Sequence, residues 1–173
     1  MSGAPSLPTF FQQKVVVGVG DLASSNNTNV VISTFALGSC VGIVVYDSVA
    51  KVGGLIHIML PDSSLSKEKA AKQPAMFADT GIPLLFRELQ GLQADRSRIK
   101  AFVAGGASVI SGSDMFKIGE RNIAAVKQFV TAYQIKVVKA DVGGVNNRTV
   151  HLNVATGEVA LKTPMGASKF SLA

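Results

Sequence analysis

Two runs of the chain, residues 41–46 and 55–60, hold aliphatic, β-branched and aromatic side chains and no charge. Short apolar runs of this kind read as strands buried in a core. The link between them, residues 47–53, is short and polar, and predicts an antiparallel hairpin. Upstream, residues 14–20 read as a first strand, 24–29 as a polar loop, and 30–34 as a second strand that runs into a bend at Gly38-Ser39. Downstream, residues 61–66 read as a loop and 67–72 as a helix start. Residues 75–92 have helical apolar spacing at Met76, Leu84, Leu85 and Leu89, with Gly81 and Pro83 against it. Pro83 removes a backbone donor, so a kink or a late helix start is expected. Residues 99–104 read as a buried strand. Gly105-Gly106-Ala107 ends it and opens a loop to Lys117. Residues 120–133 place Ile123, Val126, Val130 and Tyr133 on one helical face, with Glu120 in the first turn. Residues 136–141 read as a strand, and 150–154 and 158–162 as strands flanking the turn Ala155-Thr156-Gly157.

The count is six to eight strands and two or three helices. The order is strand-rich first, then helix, strand, helix, strand, hairpin. Regular alternation is absent, so the fold class is α+β. Residues 1–13 read as a loose N-terminal segment, 14–162 as a single domain, and 163–173 as a polar C-terminal tail. A chain of 173 residues supports one domain with a substantial core.

Composition narrows the chemistry. A lone cysteine, Cys40, excludes an internal disulfide and a zinc site built on paired cysteines. A reducing, cytoplasmic setting fits it. Residues 1–8 lack the basic start and apolar centre of a secretory leader. Residues 22–46 carry no charge, but Ser33, Thr34, Gly38, Ser39 and Gly42 break their apolar part. It falls short of the roughly 20 predominantly apolar residues that a spanning helix needs. The net charge is +6. The basic residues are scattered, without an aromatic–basic nucleic-acid signature, and read first as a solvated basic surface; such a surface would also suit an acidic protein partner. Gly18-Val19-Gly20 lacks the third glycine and following helix of a dinucleotide loop.

Cys40 and His57 lie on the two runs with which the pattern began. A hairpin turn centred near Ser48 and Val49 sets Cys40 opposite His57, with Cβ atoms roughly 4.5–5.5 Å apart. A thiol and an imidazole so placed are a nucleophile and its general base. A slip of one residue would put His57 on the other face. Two bland alternatives stand beside this: Cys40 as a small buried hydrophobe, and His57 as a core residue with one satisfied nitrogen. The other histidine, His151, alternates with Val150 and Leu152 and reads as structural.

The wording around these residues is more specific. Gly38-Ser39-Cys40 after an apolar run, a strand ending in Tyr46-Asp47, and then Gly53-Gly54-Leu55-Ile56-His57-Ile58-Met59-Leu60-Pro61 resemble the bacterial chemoreceptor glutamine deamidase family, CheD. Phe77-Ala78-Asp79-Thr80, Gly105-Gly106-Ala107, Ile118-Gly119-Glu120-Arg121-Asn122, Asp141 to Gly144 with Arg148, and Thr156-Gly157 continue the resemblance in order. Asn147 stands where a glycine is expected; asparagine tolerates the left-handed region better than most residues and is expected to keep a turn there. Phe77 stands where a tyrosine is common.

The resemblance implies packed mixed or antiparallel β-sheets with flanking helices, similar to toxin-type glutamine deamidases. It implies Cys40, His57 and Thr34 as the catalytic residues, with Thr34 orienting the imidazole. By their place at the bend beside the nucleophile, Gly38 and Ser39 are candidates for the oxyanion site; Gly105 and Gly106 read as a turn after a strand, with the lining of a substrate groove as the functional alternative. The implied reaction turns receptor glutamines into glutamates with release of ammonia, and extends to glutamate methyl esters. It requires no metal or cofactor. The implied partners are cytoplasmic helices of chemotaxis receptors and, in some bacteria, a chemotaxis phosphatase. The alternative is a docking regulator of receptors or of that phosphatase, with little or no turnover.

Overall fold

The computed structural model describes residues 12–108 and 116–173. Its strands are β1 (Gln13–Val16), β2 (Leu22–Ser25), β3 (Val30–Leu37), β4 (Val41–Asp47), β5 (Val52–Ile58), β6 (Lys100–Gly105), β7 (Lys136–Val142), β8 (Arg148–Asn153), β9 (Glu158–Thr163) and β10 (Gly166–Ser171). Its helices are α1 (Lys67–Lys72), α2 (Ala78–Gly91) and α3 (Ile118–Ala132). The strands form two five-stranded sheets, one ordered β1-β3-β8-β9-β10 and the other β2-β5-β4-β6-β7. Both are mixed: β1 runs parallel to β3 and β6 parallel to β7, while the remaining pairs are antiparallel. The class is α+β, as the order of elements predicts.

The sheets pack face to face, and α2 and α3 cover the far side of the second sheet. The alternation of β4 shows this directly. Val44 and Tyr46 join Ile32, Leu37, Leu152 and Leu161 in the core between the sheets. Val41, Ile43 and Val45 join Ile82, Leu85, Val126 and Val130 in the core under the helices. Every residue of β4 and β5 is therefore buried. Burial on both faces is why their sequence is a continuous apolar run without alternation.

α2 begins at Ala78, after a 3₁₀ turn at Pro74–Met76, so the late start is realised and Met76 lies outside the helix. Pro83 is accommodated within it. Residues 163–173 are not a tail. β10 pairs along the whole of β9, and Leu172 is fully buried with its N–H donated to the Gly157 carbonyl at 2.9 Å. Six residues of which only Phe170 faces apolar partners carry little hydrophobic signal, which hides this edge strand. β2 was hidden likewise: Ser24 and Ser25 fall in the loop expected at 24–29, but with Leu22 and Ala23 they pair antiparallel with β5. Asn147 is not among the residues with positive φ; Gly143 and Gly144 make that turn instead, at φ 78° and 67°.

Candidate active site

The β4–β5 hairpin sets the first two residues of the site. Asp47 pairs with Val52 and Gly42 with His57. The turn is thus centred one residue later than the sequence predicts, and Cys40 is not directly opposite His57. The cause is Asp47, whose carboxylate accepts the N–H groups of Val49 and Ala50 at 3.0 and 3.2 Å and widens the turn. Moving the centre by one whole residue shifts the pairing by two, which preserves the face. His57 lies opposite Gly42, and Cys40 is its diagonal neighbour on the same side. Diagonal pairs sit roughly 7–8 Å apart at the backbone, within reach of long side chains. Both residues face the space between the sheets, where Cys40 packs against the inter-sheet core.

The third residue comes from the opposite sheet. β3 turns Thr34 inward and its neighbours Ser33 and Phe35 to the other side. Thr34 Oγ1 lies 2.7 Å from His57 Nδ1 and donates its hydrogen to the Val17 carbonyl, also at 2.7 Å. One hydroxyl has one hydrogen. With that hydrogen on Val17, Oγ1 is the acceptor toward the ring, and Nδ1 carries the proton. Nε2 is then the basic nitrogen. It is buried and has no hydrogen-bond partner among the described residues. The His57 backbone is itself pinned, its N–H on the Asp21 carbonyl at 2.9 Å and its carbonyl on the Gly20 N–H at 2.8 Å.

Burial holds both groups in their neutral forms. It pushes the His57 imidazole down to about 4. It pushes the Cys40 thiol up, with the residue's own N–H acting in the opposite direction. The resting arrangement is a thiol and a neutral imidazole with a free Nε2 lone pair.

The bend before β4 is held from three sides. The Gly38 carbonyl accepts the Ala107 N–H and the Cys40 carbonyl the Gly106 N–H, both at 2.8 Å. The Ser39 carbonyl accepts Asn122 Nδ2 at 3.0 Å. Gly105 and Gly106 thus approach Cys40 closely, and the approach explains their type. A Cβ on Gly105, at φ 111°, would overlap the Cys40 carbonyl oxygen, and one on Gly119 would lie 2.6 Å from the Gly106 and Ala107 carbonyls. Beyond them, Arg148 is buried and ties the turns together. It pairs with Asp141 at 2.8 Å and donates to the Gly143 carbonyl at 2.9 Å.

The sequence model described as CheD chemotactic sensory transduction matches residues 59–163. The chain is 43% identical over 152 residues to the probable chemoreceptor glutamine deamidase CheD 1 of Syntrophus aciditrophicus, covering 88% of this chain and 95% of that one. This chain belongs to the CheD family. The chemoreceptor glutamine deamidase CheD of Halalkalibacterium halodurans is 44% identical over 152 residues, covering 86% and 93% of the two chains. The probable CheD of Pyrococcus abyssi is 40% identical over 156 residues, covering 89% and 94%. Among solved structures, the hypothetical protein YfiH of Bacillus licheniformis is similar at a TM-score of 0.44 and 11% identity, covering 72% of this chain and 49% of that one. That likeness is too slight to bear on function.

Of the residues singled out in the sequence, the structure sets Thr34 against His57 and puts Cys40 on the same inter-sheet side, with Gly38, Ser39, Gly105 and Gly106 at the bend beside it. His151 lies elsewhere, on the outer face of its sheet, 2.6 Å from Ser33 Oγ and edge-on to Phe35. Val17 and Asn122 were missed as parts of the site. Val17 acts through its carbonyl, which no side-chain pattern reveals. Asn122 had a signal: with Val126 and Val130 it forms a buried stripe on α3, and a polar residue on such a stripe calls for buried partners. No helix among the described residues is long and apolar enough to cross a membrane.

Proposed function

We propose that this CheD chain is a cysteine-dependent protein-glutamine glutaminase that converts receptor glutamines to glutamates in the cytoplasm. One observation carries the catalytic reading. Thr34 gives its only hydrogen to Val17 and so fixes the proton of His57 on Nδ1, leaving a buried Nε2 lone pair on the face that Cys40 shares. A histidine serving only the core would have no use for that arrangement, since an unpaired buried acceptor costs roughly 1–3 kcal/mol.

His57 Nε2 takes the thiol proton as Cys40 Sγ attacks the amide carbon of the glutamine side chain. Because both groups rest neutral, proton transfer accompanies attack. The amide oxygen becomes an oxyanion, stabilised by the backbone N–H groups at Ser39 and Cys40. The C–N bond then breaks, the imidazolium gives its proton to the departing nitrogen, and ammonia leaves a thioester. Water gives a proton to His57 and attacks the thioester carbon. Sγ departs, regains its proton, and glutamate is released. The balance is glutamine plus water to glutamate plus ammonia. A glutamate methyl ester would give the same thioester with methanol leaving, so methylesterase activity belongs to the same proposal.

The substrate would be a chemoreceptor glutamine, the group that the relatives' names give for those proteins, and we place it on the receptor's cytoplasmic helices. The test is mass spectrometry of receptor cytoplasmic fragments incubated with wild type and with Cys40→Ala. Amide-to-acid conversion with wild type alone is expected. Fragments bound by both proteins and modified by neither would favour the docking regulator.

A further inference from the structure

Asn122 sits one turn into α3, fully buried, and its side-chain amide bridges two stretches that carry the chemistry. Nδ2 donates to the Ser39 carbonyl and to the Met59 carbonyl, each at 3.0 Å. Both partners are carbonyl oxygens, so the NH₂ end, and not Oδ1, must face them. One hydrogen therefore fixes the residue before Cys40. The other fixes the strand end two residues past His57.

The first of these bonds has a consequence for the nucleophile's own backbone. The Ser39–Cys40 peptide is trans, so its carbonyl and its N–H point in opposite directions. Holding the Ser39 carbonyl toward Asn122 turns the Cys40 N–H away from α3. The same N–H acts to lower the Cys40 thiol, against the burial that raises it, as a donor close to the sulfur does. The flanking carbonyls, Gly38 and Cys40, are held by Ala107 and Gly106 at 2.8 Å. Three successive carbonyls are thus secured, and only the middle one depends on a side chain.

We infer that Asn122 is the positioning residue of the oxyanion site: by holding the Ser39 and Met59 carbonyls together it aims the Cys40 N–H at the substrate's amide oxygen. The inference rests on the deamidase reading of Cys40. Asn122 touches neither substrate nor the reacting atoms and acts through the peptide it holds.

The experiment compares wild type with Asn122→Leu, which keeps a similar volume without donors, and with Asn122→Asp, which keeps the shape but faces the carbonyls with oxygens. Loss of an oxyanion donor lowers kcat by about 10²–10³-fold; a misaimed donor should cost part of that, about 10–100-fold, with KM within about twofold. Alkylation of Cys40 by iodoacetamide is the control. It displaces iodide at a tetrahedral carbon and forms no oxyanion, so its rate should stay within about threefold of wild type with an unchanged pH profile. A folded variant with wild-type kcat overturns the inference. So does a fall in alkylation parallel to the fall in kcat, which would place the effect on the thiol or the imidazole.

A third arm uses the wild-type protein alone and serves if both variants fail to fold. The Asn122 side-chain amide protons should exchange slowly with solvent and show through-hydrogen-bond couplings to the Ser39 and Met59 carbonyl carbons in NMR spectra. Rapid exchange without couplings overturns the inference. Absence of turnover by wild type would instead sink the deamidase reading and the oxyanion assignment with it, while the exchange data still report whether the clamp exists.

Discussion

Replacing Thr34 by valine keeps the shape of the side chain and removes one oxygen. That oxygen receives the His57 Nδ1 proton and supplies the Val17 carbonyl with its hydrogen, both at 2.7 Å. Thr34 is fully buried and His57 almost so, so solvent does not replace either bond. Each orphaned group costs roughly 1–3 kcal/mol, and with two of them the protein should lose about 2–6 kcal/mol of stability. The catalytic effect is separate. Without the acceptor on Nδ1, the tautomer with a free Nε2 lone pair loses its stabilisation. A loss of about 1.4–2.8 kcal/mol in that preference reduces the competent population about 10–100-fold. kcat should fall by that factor with KM nearly constant, while Thr34→Ser, which keeps the hydroxyl, should retain most of it. Ammonia release gives kcat, and the ¹⁵N shifts of the imidazole report the tautomer. A folded Thr34→Val protein with wild-type kcat, or with the Nδ1 proton still in place, would refute the reasoning.

Two further outcomes follow from the same structure. The imidazole of His57 ordinarily titrates near 6.5 and is held at about 4 by burial. Between those values the unfolded chain binds the proton and the folded one does not, so stability falls as the pH drops through that window. The full loss is about 3 kcal/mol, at roughly 1.4 kcal/mol per pH unit. His151 is also lowered, by burial first and then by Lys162 and Lys14, so the share of His57 is read from urea unfolding of wild type against His57→Gln at pH 7.5 and 4.5. A pH dependence unaltered in the variant would contradict the assignment. Ending the chain after Thr163 should lower the melting temperature markedly. It strips β10 from β9, exposes the site of the fully buried Leu172, and removes Phe170 from its edge contact with Phe102 at 4.8 Å. One such apolar side chain contributes about 1.5–3 kcal/mol. A truncated protein as stable as the full chain would mean that the segment is a tail after all.

Legibility in the sequence followed burial. β4 and β5 are covered on both faces and stand out as apolar runs, and α3 stands out because one face is buried and the other is not. β2 and β10 are edge strands whose place is set mostly by backbone pairing, so their side chains carry little pattern. The hairpin register depended on Asp47 capping its own turn, an interaction that a count of loop residues misses. The face shared by Cys40 and His57 survived the error because the pairing moved by an even number. The proposed triad was legible in part through residue type and local wording. Its third member required β3 of the other sheet and the residue that follows β1, since Thr34 takes its meaning from a Val17 carbonyl seventeen residues away.

The most direct measurement is peptide mass spectrometry of acidic chemoreceptor cytoplasmic fragments after incubation with wild type or Cys40→Ala. Particular glutamines converted to glutamate by wild type and untouched by the variant are the predicted result. Equal conversion by both proteins would contradict the role given to Cys40, and binding by both without conversion would contradict the reaction itself.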